Sequence, residues 1–331
     1  MHSIQVHAAP DVFEVKVPFE NVSTSATNCF VVVDGGEALV VDTGAPTDEG
    51  AAALEAALDE LGVDRRRATF FLTHLHLDHA GLVDAVVPAG ARVCASEVDF
   101  AAVRATRAAA YFEETRRLFE REGLSFADAS GFARYAIEPQ LFDPERIDLA
   151  FVGEGNELRV GRYALRVVET PGHTPGHLSL FEPSSGILFG GDHVLFVISP
   201  SIALFPDGAD GLQAYLNSLD KVRALGCKRL LVSHGEPRDD FAERVDWLAE
   251  HHVARLREAA AIVAAEPGLT GEQVIRRIRW NVPHDRWEDI SFVQRWCIVT
   301  EGIVILDHLA DRALVRRELD DQGVWRYLQS V

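Results

Sequence analysis

The chain has 331 residues, of which 47% are hydrophobic and 25% are charged. This composition is typical of a folded globular protein and excludes a disordered chain or a fibrous repeat. Its 32 basic and 51 acidic residues give a net charge of −19, a field that repels nucleic acid unless a local basic patch overrides it. We therefore expect a small-molecule substrate and treat a nucleic-acid partner as disfavoured.

The sequence contains no run of about 18 apolar residues, and its N-terminus lacks a basic stretch followed by an apolar segment. These features predict no membrane span, no secretion signal and a cytoplasmic location. The cysteines lie far apart without a C-x-x-C spacing, so neither a disulfide framework nor a thiolate metal cage is expected. They are Cys29, Cys94, Cys227 and Cys297.

The first third of the chain predicts an antiparallel sheet. Residues 12–17 alternate apolar and polar side chains. Residues 29–33 and 38–41 flank Asp34-Gly35-Gly36, which is a strong hairpin signal. Helical spacing of apolar residues over 47–61, followed by the short apolar run 68–72, predicts a helix and then a further strand.

Residues 97–145 are predicted to form a helical insertion, which we interpret as a lid. Its pattern favours two or three surface helices in which most aromatic side chains form buried stripes, while one or two face a substrate. The aromatic residues are Phe100, Tyr111, Phe112, Phe119, Phe126, Phe132 and Tyr135.

The remaining chain predicts a second sheet and then a helical region. Alternation over 158–169 and short apolar runs at 178–181, 187–189 and 229–232 indicate strands. Beyond Pro237 the pattern becomes that of long helices and ends in a hairpin. We therefore predict a main domain over residues 1–240 and a small winged-helix-like domain over residues 241–331.

The most informative segment is Thr73-His74-Leu75-His76-Leu77-Asp78-His79. An isolated histidine is usually a structural residue, but three imidazoles and a carboxylate this close together are rarely accidental. They supply the nitrogen and oxygen ligands that zinc and related divalent metals accept. The segment therefore predicts a metal site.

Three further residues are candidates for the same site. His173 lies in the turn-rich loop Thr170-Pro-Gly-His-Thr-Pro-Gly-His177, while Asp192 and His234 each follow an apolar strand-like run. Functional side chains often lie on loops positioned by a rigid scaffold, so residues just after strands are favoured candidates.

The motif His74-x-His76-x-Asp78-His79, followed by His173, Asp192 and His234, resembles the ligand motifs of the metallo-β-lactamase superfamily. The resemblance spans residues from about 10 to 240. It implies an α+β fold, a four-layer αββα sandwich with the metal site at one edge of the paired sheets. Asp42 in Asp42-Thr43-Gly44 also resembles an early motif whose carboxylate supports a ligand histidine.

The same resemblance implies how the residues share two divalent metal ions. His74, His76 and His173 would hold one metal, and Asp78, His79 and His234 the other. Asp192 would bridge them, and Asp78 would also act catalytically by orienting the attacking hydroxide or moving its proton. The expected metal is zinc, with iron or manganese as alternatives because the same ligands serve all three.

His177 and His193 neighbour these residues and have two interpretations. They either donate a hydrogen bond to a substrate oxygen or support a ligand side chain, and we favour the supporting role. The remaining histidines have no visible partner in the sequence and are interpreted as solvated or core residues.

Comparison with families of the superfamily narrows the expected reaction. The bridging aspartate disfavours a true lactamase, and His76 disfavours an oxygen reductase, in which a glutamate stands at that position. Lactone hydrolases resemble the His74 segment but carry a tyrosine three residues after the bridging aspartate, where this chain has Leu195. A lactone substrate is therefore disfavoured.

The C-terminal region resembles the β-lactamase-like protein 2 group, with hydroxyacylglutathione hydrolases as a further similar group. We predict a binuclear hydrolase of a small ester-like substrate, with a thioester favoured over a lactone. Some members of the first group cut single-stranded RNA, so an endonuclease or phosphodiesterase is the alternative. A noncatalytic binding protein is a further alternative, which the complete ligand set disfavours.

Apolar stripes on the C-terminal helices either pair two chains in a homodimer or dock on the sandwich.

Overall fold

The computed structural model describes residues 2–19, 24–106, 109–124, 141–239, 241–282 and 286–330. The chain divides into two compact units. The first consists of residues 1–101, 139–200 and 218–245, and the second of residues 102–138, 201–217 and 246–331.

The first unit contains two β-sheets. The first sheet has seven strands in the order β1 to β7, namely Ile4–Ala8, Asp11–Pro18, Ala26–Asp34, Glu37–Val41, Thr69–Phe71, Arg92–Ala95 and Asp148–Phe151. Strands β1 to β4 pair antiparallel, and β4 to β7 pair parallel. The antiparallel opening predicted from the sequence is therefore present, and parallel strands extend it.

The second sheet has five strands in the order β12-β11-β10-β9-β8. In chain order β8 to β12 are Glu157–Val160, Tyr163–Glu169, Leu178–Glu182, Ile187–Phe189 and Arg229–Leu231. Adjacent strands of this sheet pair antiparallel, except β11 and β12, which pair parallel. The short apolar runs in this part of the chain are strands, as their length and composition predict.

The hairpin between β3 and β4 turns at Gly35 and Gly36. Both residues have positive φ angles, 60° and 82°, a region that glycine enters without steric cost. Two successive positive φ angles match the twist of the flanking strands. The turn predicted at Asp34-Gly35-Gly36 is confirmed.

One hydrophobic core is formed by buried side chains from both sheets. Phe30 of β3 and Phe189 of β11 meet edge to face, with ring centroids 5.6 Å apart. Buried members of this core are Val12, Phe30, Val32, Leu39, Val41, Phe71, Cys94, Val160, Leu165, Val167, Leu178, Leu180, Ile187, Phe189 and Leu231. The two sheets thus pack face to face, and the loops at their edges remain available for a site.

Within the described ranges the α-helices are labelled α1 to α9 in chain order. Their bounds are Asp48–Glu60, Leu77–Ala80, Val83–Val86, Glu97–Thr106, Ala109–Arg121, Gly211–Ala224, Phe241–Ala265, Gly271–Ile275 and Phe292–Asp311. Helix α1 begins after Thr47, whose side chain accepts a hydrogen bond from Gly50 N. A 3₁₀ helix spans Trp287–Asp289.

The second unit includes α8, α9 and a hairpin of β13 (Val315–Leu319) and β14 (Trp325–Gln329). Thr270 and Gln273 form a capping box at the start of α8. The terminal hairpin predicted from the sequence is present. The winged-helix interpretation, the boundary near residue 240 and the lid role of residues 97–145 stay predictions.

The cysteines and the helix lengths bear on two of the sequence-based expectations. The four cysteines form no disulfide with one another. No helix in the described ranges has the length and apolar character required to cross a membrane. The aromatic residues Phe126, Phe132 and Tyr135 lie outside the described residues.

Candidate metal centre

Seven polar side chains from four separate segments meet at one edge of the paired sheets. Strand β5 leads into the segment His74–His79, and the loop between β9 and β10 carries His173. Asp192 and His234 follow β11 and β12. The structure therefore brings together all seven candidate ligands, which are His74, His76, Asp78, His79, His173, Asp192 and His234.

The first group consists of three histidines. His76 Nδ1 lies 3.0 Å from His74 Nε2 and 3.1 Å from His173 Nε2. His74 and His173 are buried, whereas His76 reaches the solvent. Three imidazole nitrogens thus converge on one position, as ligands of a zinc ion would.

The second group consists of a carboxylate and two histidines. Asp78 Oδ2 lies 3.5 Å from His234 Nε2 and 3.9 Å from His79 Nε2. Both imidazoles are buried, and the Asp78 side chain is 26% exposed. This group has the nitrogen and oxygen composition of a second divalent metal site.

Asp192 lies between the two groups. Its Oδ2 atom is 3.5 Å from His173 Nε2, while its Oδ1 atom is 3.5 Å from both His79 Nε2 and His234 Nε2. One carboxylate thus faces histidines of both groups with different oxygens. This is the geometry that a bridging ligand requires.

In three of the candidate ligand histidines, the ring nitrogen that points away from the centre lies against a protein oxygen. His79 Nδ1 lies 2.9 Å from Asp42 Oδ2, His234 Nδ1 lies 2.9 Å from the carbonyl oxygen of Ala26, and His74 Nδ1 lies 3.1 Å from Thr73 Oγ1. Donation from Nδ1 leaves the lone pair on Nε2. The Nε2 atoms are the ones that face the centre, so these contacts orient the rings for metal binding.

Unsatisfied polar atoms test whether a metal fits these residues. Among the described side chains, His79 Nε2 and Asp192 Oδ1 are buried and have no hydrogen-bond partner. Such buried atoms are nearly always paired with protein, water or an ion. An imidazole nitrogen and a carboxylate oxygen that face each other at 3.5 Å suit a shared divalent cation.

The electrostatics of the cluster couple charges of opposite sign. Burial would lower the pKa of His79, but Asp192, Asp78 and Asp42 raise it well above its usual value. Burial would likewise raise the pKa of Asp192, but His234 and His79 hold it well below its usual value. The carboxylate therefore stays ionised, the form that binds a cation.

The structure places the supporting candidates Asp42, His177 and His193 beside these groups. His177 Nε2 accepts a hydrogen bond from the backbone N–H of Asp192 at 3.1 Å, and its Nδ1 lies 2.8 Å from Thr170 Oγ1. Burial and the neighbouring His173 lower the pKa of His177 well below its usual value, so it accepts this bond as a neutral ring. Burial also lowers the pKa of His193 to about 3.

Two residues at the start of β3, Thr27 and Asn28, also hold the site, although no motif in the sequence marks them. Asn28 Nδ2 donates to the carbonyl oxygens of Val232 and Gly235 on both sides of His234, at 2.9 and 2.6 Å. Thr27 Oγ1 donates to the carbonyl oxygen of Asp78 at 2.7 Å. The feature of the sequence that could have indicated them is a pair of polar residues near the start of a largely apolar strand.

Known proteins resemble this chain at the level of family, sequence and structure. The family model described as the metallo-beta-lactamase superfamily matches residues 22–234. A beta-lactamase-like protein 2 homolog from Caenorhabditis elegans is 24% identical over 258 residues, covering 78% of this chain and 72% of that protein. An atrochrysone carboxyl ACP thioesterase from Aspergillus fumigatus is 25% identical over 267 residues, covering 77% and 68%.

Among solved structures, the chain is similar to a metallo-beta-lactamase family protein from Thermus thermophilus. The TM-score is 0.77 and the sequence identity 28%, with 96% of this chain and 98% of that chain covered. The likeness thus extends over nearly the whole length of both chains.

Proposed function

We propose that this chain, which belongs to the metallo-beta-lactamase superfamily and is a metal-dependent hydrolase, cleaves a small thioester at a two-metal centre. The observation that carries the two-metal assignment is the position of Asp192, whose two oxygens face histidines of both groups. A site for one metal ion would require Asp192 to face only one of the two groups.

In this proposal His74, His76 and His173 bind one ion, Asp78, His79 and His234 bind the other, and Asp192 bridges them. When bound, two divalent ions would supply Lewis acidity, which lowers the pKa of a water molecule and polarises the carbonyl oxygen of the substrate. The ligand atoms fit zinc, while iron and manganese accept the same set.

The side chains around the centre orient the reactants and move the proton. Asp42 holds His79 through Nδ1, and His177 holds the backbone of Asp192. We assign to Asp78 the second role of accepting the proton of the attacking water, because its carboxylate is 26% exposed and water can reach it.

The leaving group favours a thioester over a lactone. Leu195, three residues after Asp192, is fully buried and apolar, so that position offers no acid to protonate an alkoxide. A thiol has a pKa of about 8.5, far below that of an alcohol, and therefore leaves as a thiolate without such an acid. A site with leucine at this position therefore suits a thioester, because a thiolate leaving group is less basic than an alkoxide.

Apolar side chains beside His234 suit an acyl group. The Phe19 ring meets the His234 ring edge-on at 6.1 Å between centroids. Val197 is 54% exposed and packs so closely on Gly235 that a Cβ there would lie 2.8 Å from Val197 Cγ1. Such a combination of an apolar wall and a few polar groups is typical of a small-molecule site. Similarity to an acyl carrier protein thioesterase supports the same substrate class.

The test is thiol release from short, aromatic and long-chain acyl thioesters by zinc-loaded protein, with Asp192→Ala as background. We expect turnover that depends on Asp192 and falls on the order of 1,000-fold in the variant, the equivalent of about 4 kcal/mol of transition-state stabilisation. The acyl chain with the highest kcat/KM then defines the substrate.

Parallel assays with lactones and single-stranded RNA distinguish the alternatives. No thiol release from any thioester, together with Asp192-dependent cleavage of RNA, would replace the thioester proposal by a nuclease. The net charge of −19 opposes RNA binding, which supports the thioester as the first substrate to test.

A further inference from the structure

Asp99 is a buried carboxylate that faces two loops of the candidate metal centre. It lies in the first turn of α4 and is 2% exposed. Its Oδ2 atom accepts hydrogen bonds from Thr174 Oγ1 at 2.8 Å and from the backbone N–H of Leu75 at 3.3 Å. Its Oδ1 atom accepts a third from the backbone N–H of Gly176 at 2.6 Å.

These donors belong to the segments that carry two of the candidate ligands. Leu75 stands between His74 and His76, and Thr174 follows His173 directly. His76 and His173 are 97 positions apart in the chain, yet their ring nitrogens lie 3.1 Å apart. One carboxylate thus ties together the backbones that bring these two imidazoles to one point.

The close approach of Gly176 is an independent observation at the same place. A Cβ added to Gly176 would overlap Ser96 Oγ and lie 2.5 Å from the backbone nitrogen of Asp99. The loop that carries His173 therefore packs directly on the start of α4, in a space that only glycine permits. A side chain at this position would push the loop away from Asp99.

The other candidate metal group has separate supports. His79 is held by Asp42, and the backbone around His234 is held by Asn28. Asp99 makes its hydrogen bonds with the side of the centre that carries His76 and His173. Loss of Asp99 should therefore affect one metal more than the other.

We infer that Asp99 is a positioning residue that holds His76 and His173 in register for one of the two metal ions. The inference rests on the metal centre of the proposed function and is independent of the substrate. It assigns to α4 a role in building the metal site, in addition to any role in the insertion that begins there.

The test is zinc titration of Asp99→Asn against wild type in competition with a chelating dye. The amide keeps the size of the carboxylate but presents N–H to one of three donors, so one loop contact becomes repulsive. We expect one zinc equivalent to bind as in wild type and the other to weaken roughly 10–100-fold, the usual effect of removing an outer hydrogen-bond partner of a ligand.

Glu182→Gln is the matched control. Glu182 is also buried and accepts four hydrogen bonds, but from Ser184 and Ser185 at the far end of β10. Its variant should bind both zinc equivalents like wild type. A merely structural role for Asp99 would make the two variants alike, each lowering the melting temperature of the metal-free protein without selective zinc loss.

A double variant identifies the affected metal. In the His76→Ala background the metal next to Asp99 is already lost, so adding Asp99→Asn should change the affinity for the remaining zinc by no more than about twofold. If Asp99→Asn does not fold, Thr174→Val removes a single donor to Asp99 and should still weaken one equivalent. Wild-type affinity for both equivalents in a folded Asp99→Asn protein would overturn the inference.

The outcomes also separate this inference from the proposed function. Zinc binding with selective loss in Asp99→Asn, but no thiol release by wild type, would leave the inference standing without the thioester substrate. Thiol release by wild type, with unchanged zinc binding by Asp99→Asn, would leave the thioester proposal standing and overturn the inference about Asp99. Wild-type protein that bound no zinc would overturn both.

Discussion

His79 Nδ1 lies 2.9 Å from Asp42 Oδ2, and both side chains are buried. Asp42 also accepts hydrogen bonds from the backbone N–H and the hydroxyl of Thr73. It adopts a φ of 61°, which is uncommon outside glycine but more frequent for Asp and Asn. The contact connects the end of β4 with the histidine segment after β5 and determines which His79 nitrogen faces the centre.

Asp42→Asn should weaken zinc binding roughly 10–100-fold while leaving the backbone intact, because asparagine tolerates the positive φ but no longer offers a charged acceptor. Zinc titration and the melting temperature of the metal-free protein measure the two effects. Asp42→Ala should add backbone strain and also lower the melting temperature. Unchanged zinc affinity in Asp42→Asn would contradict a role for this carboxylate in orienting His79.

Gly176→Ala should destabilise the protein by about 1–3 kcal/mol, because its Cβ would lie 2.5 Å from the backbone nitrogen of Asp99 and would force the two segments apart. Gly153→Ala is the control, since a Cβ there meets only the carboxylate of Glu169, at the end of a flexible exposed side chain. The measurement is the free energy of unfolding in urea. Equal stability of the two variants would show that the loop has room around Gly176.

Val197→Ser should raise KM for long-chain acyl thioesters about tenfold, because burying a valine side chain against an acyl group is worth about 1.5 kcal/mol. The kcat value and zinc affinity should not change. Ile4→Ser is the control, since Ile4 of the edge strand β1 is also an exposed apolar residue, 61% exposed, and lies outside the segments of the candidate centre. A similar KM for wild type and Val197→Ser over the whole acyl panel would exclude Val197 from the acyl site.

Glu122→Gln should make the stability less dependent on pH. Glu122 is fully buried, and burial raises its pKa to about 7 from 4.5. Between these values the folded state binds more protons than the unfolded state, so the free energy of unfolding falls as pH rises through this window. Glutamine has no such titration and can still accept a hydrogen bond from the hydroxyl of Tyr327.

The difference in free energy of unfolding, Glu122→Gln minus wild type, should therefore increase by about 2–3 kcal/mol between pH 5 and pH 8. Urea unfolding at several pH values measures it. Glu301→Gln is a contrasting control: burial would raise the pKa of Glu301, but His252 and Arg255 hold it below its usual value. That variant should lose stability at neutral pH, and parallel curves for wild type and Glu122→Gln would contradict the prediction.

Local patterns in the sequence were sufficient for many elements of the fold. Alternating and short apolar runs predicted strands in both sheets, and Asp34-Gly35-Gly36 predicted its hairpin because two successive positive φ angles favour glycine. Strands β6 and β7 were not predicted, because each is four residues long and borders the helical insertion. Such short strands are stabilised by their neighbours in the sheet and carry little periodicity of their own.

The residue types and spacing of the histidine segment, together with His173, Asp192 and His234, were enough to select the candidate ligands, because metal ligands must be particular chemical groups. Only the tertiary structure decided which oxygen of Asp192 faces which group and which residues hold the ligands. Asp99 lies in the insertion that the sequence predicts to be helical, and no local pattern distinguishes it from the other acidic residues there. Its importance for His76 and His173 arises from hydrogen bonds to Leu75 and Gly176, and contacts between residues this far apart in the chain exist only once the sheets have packed.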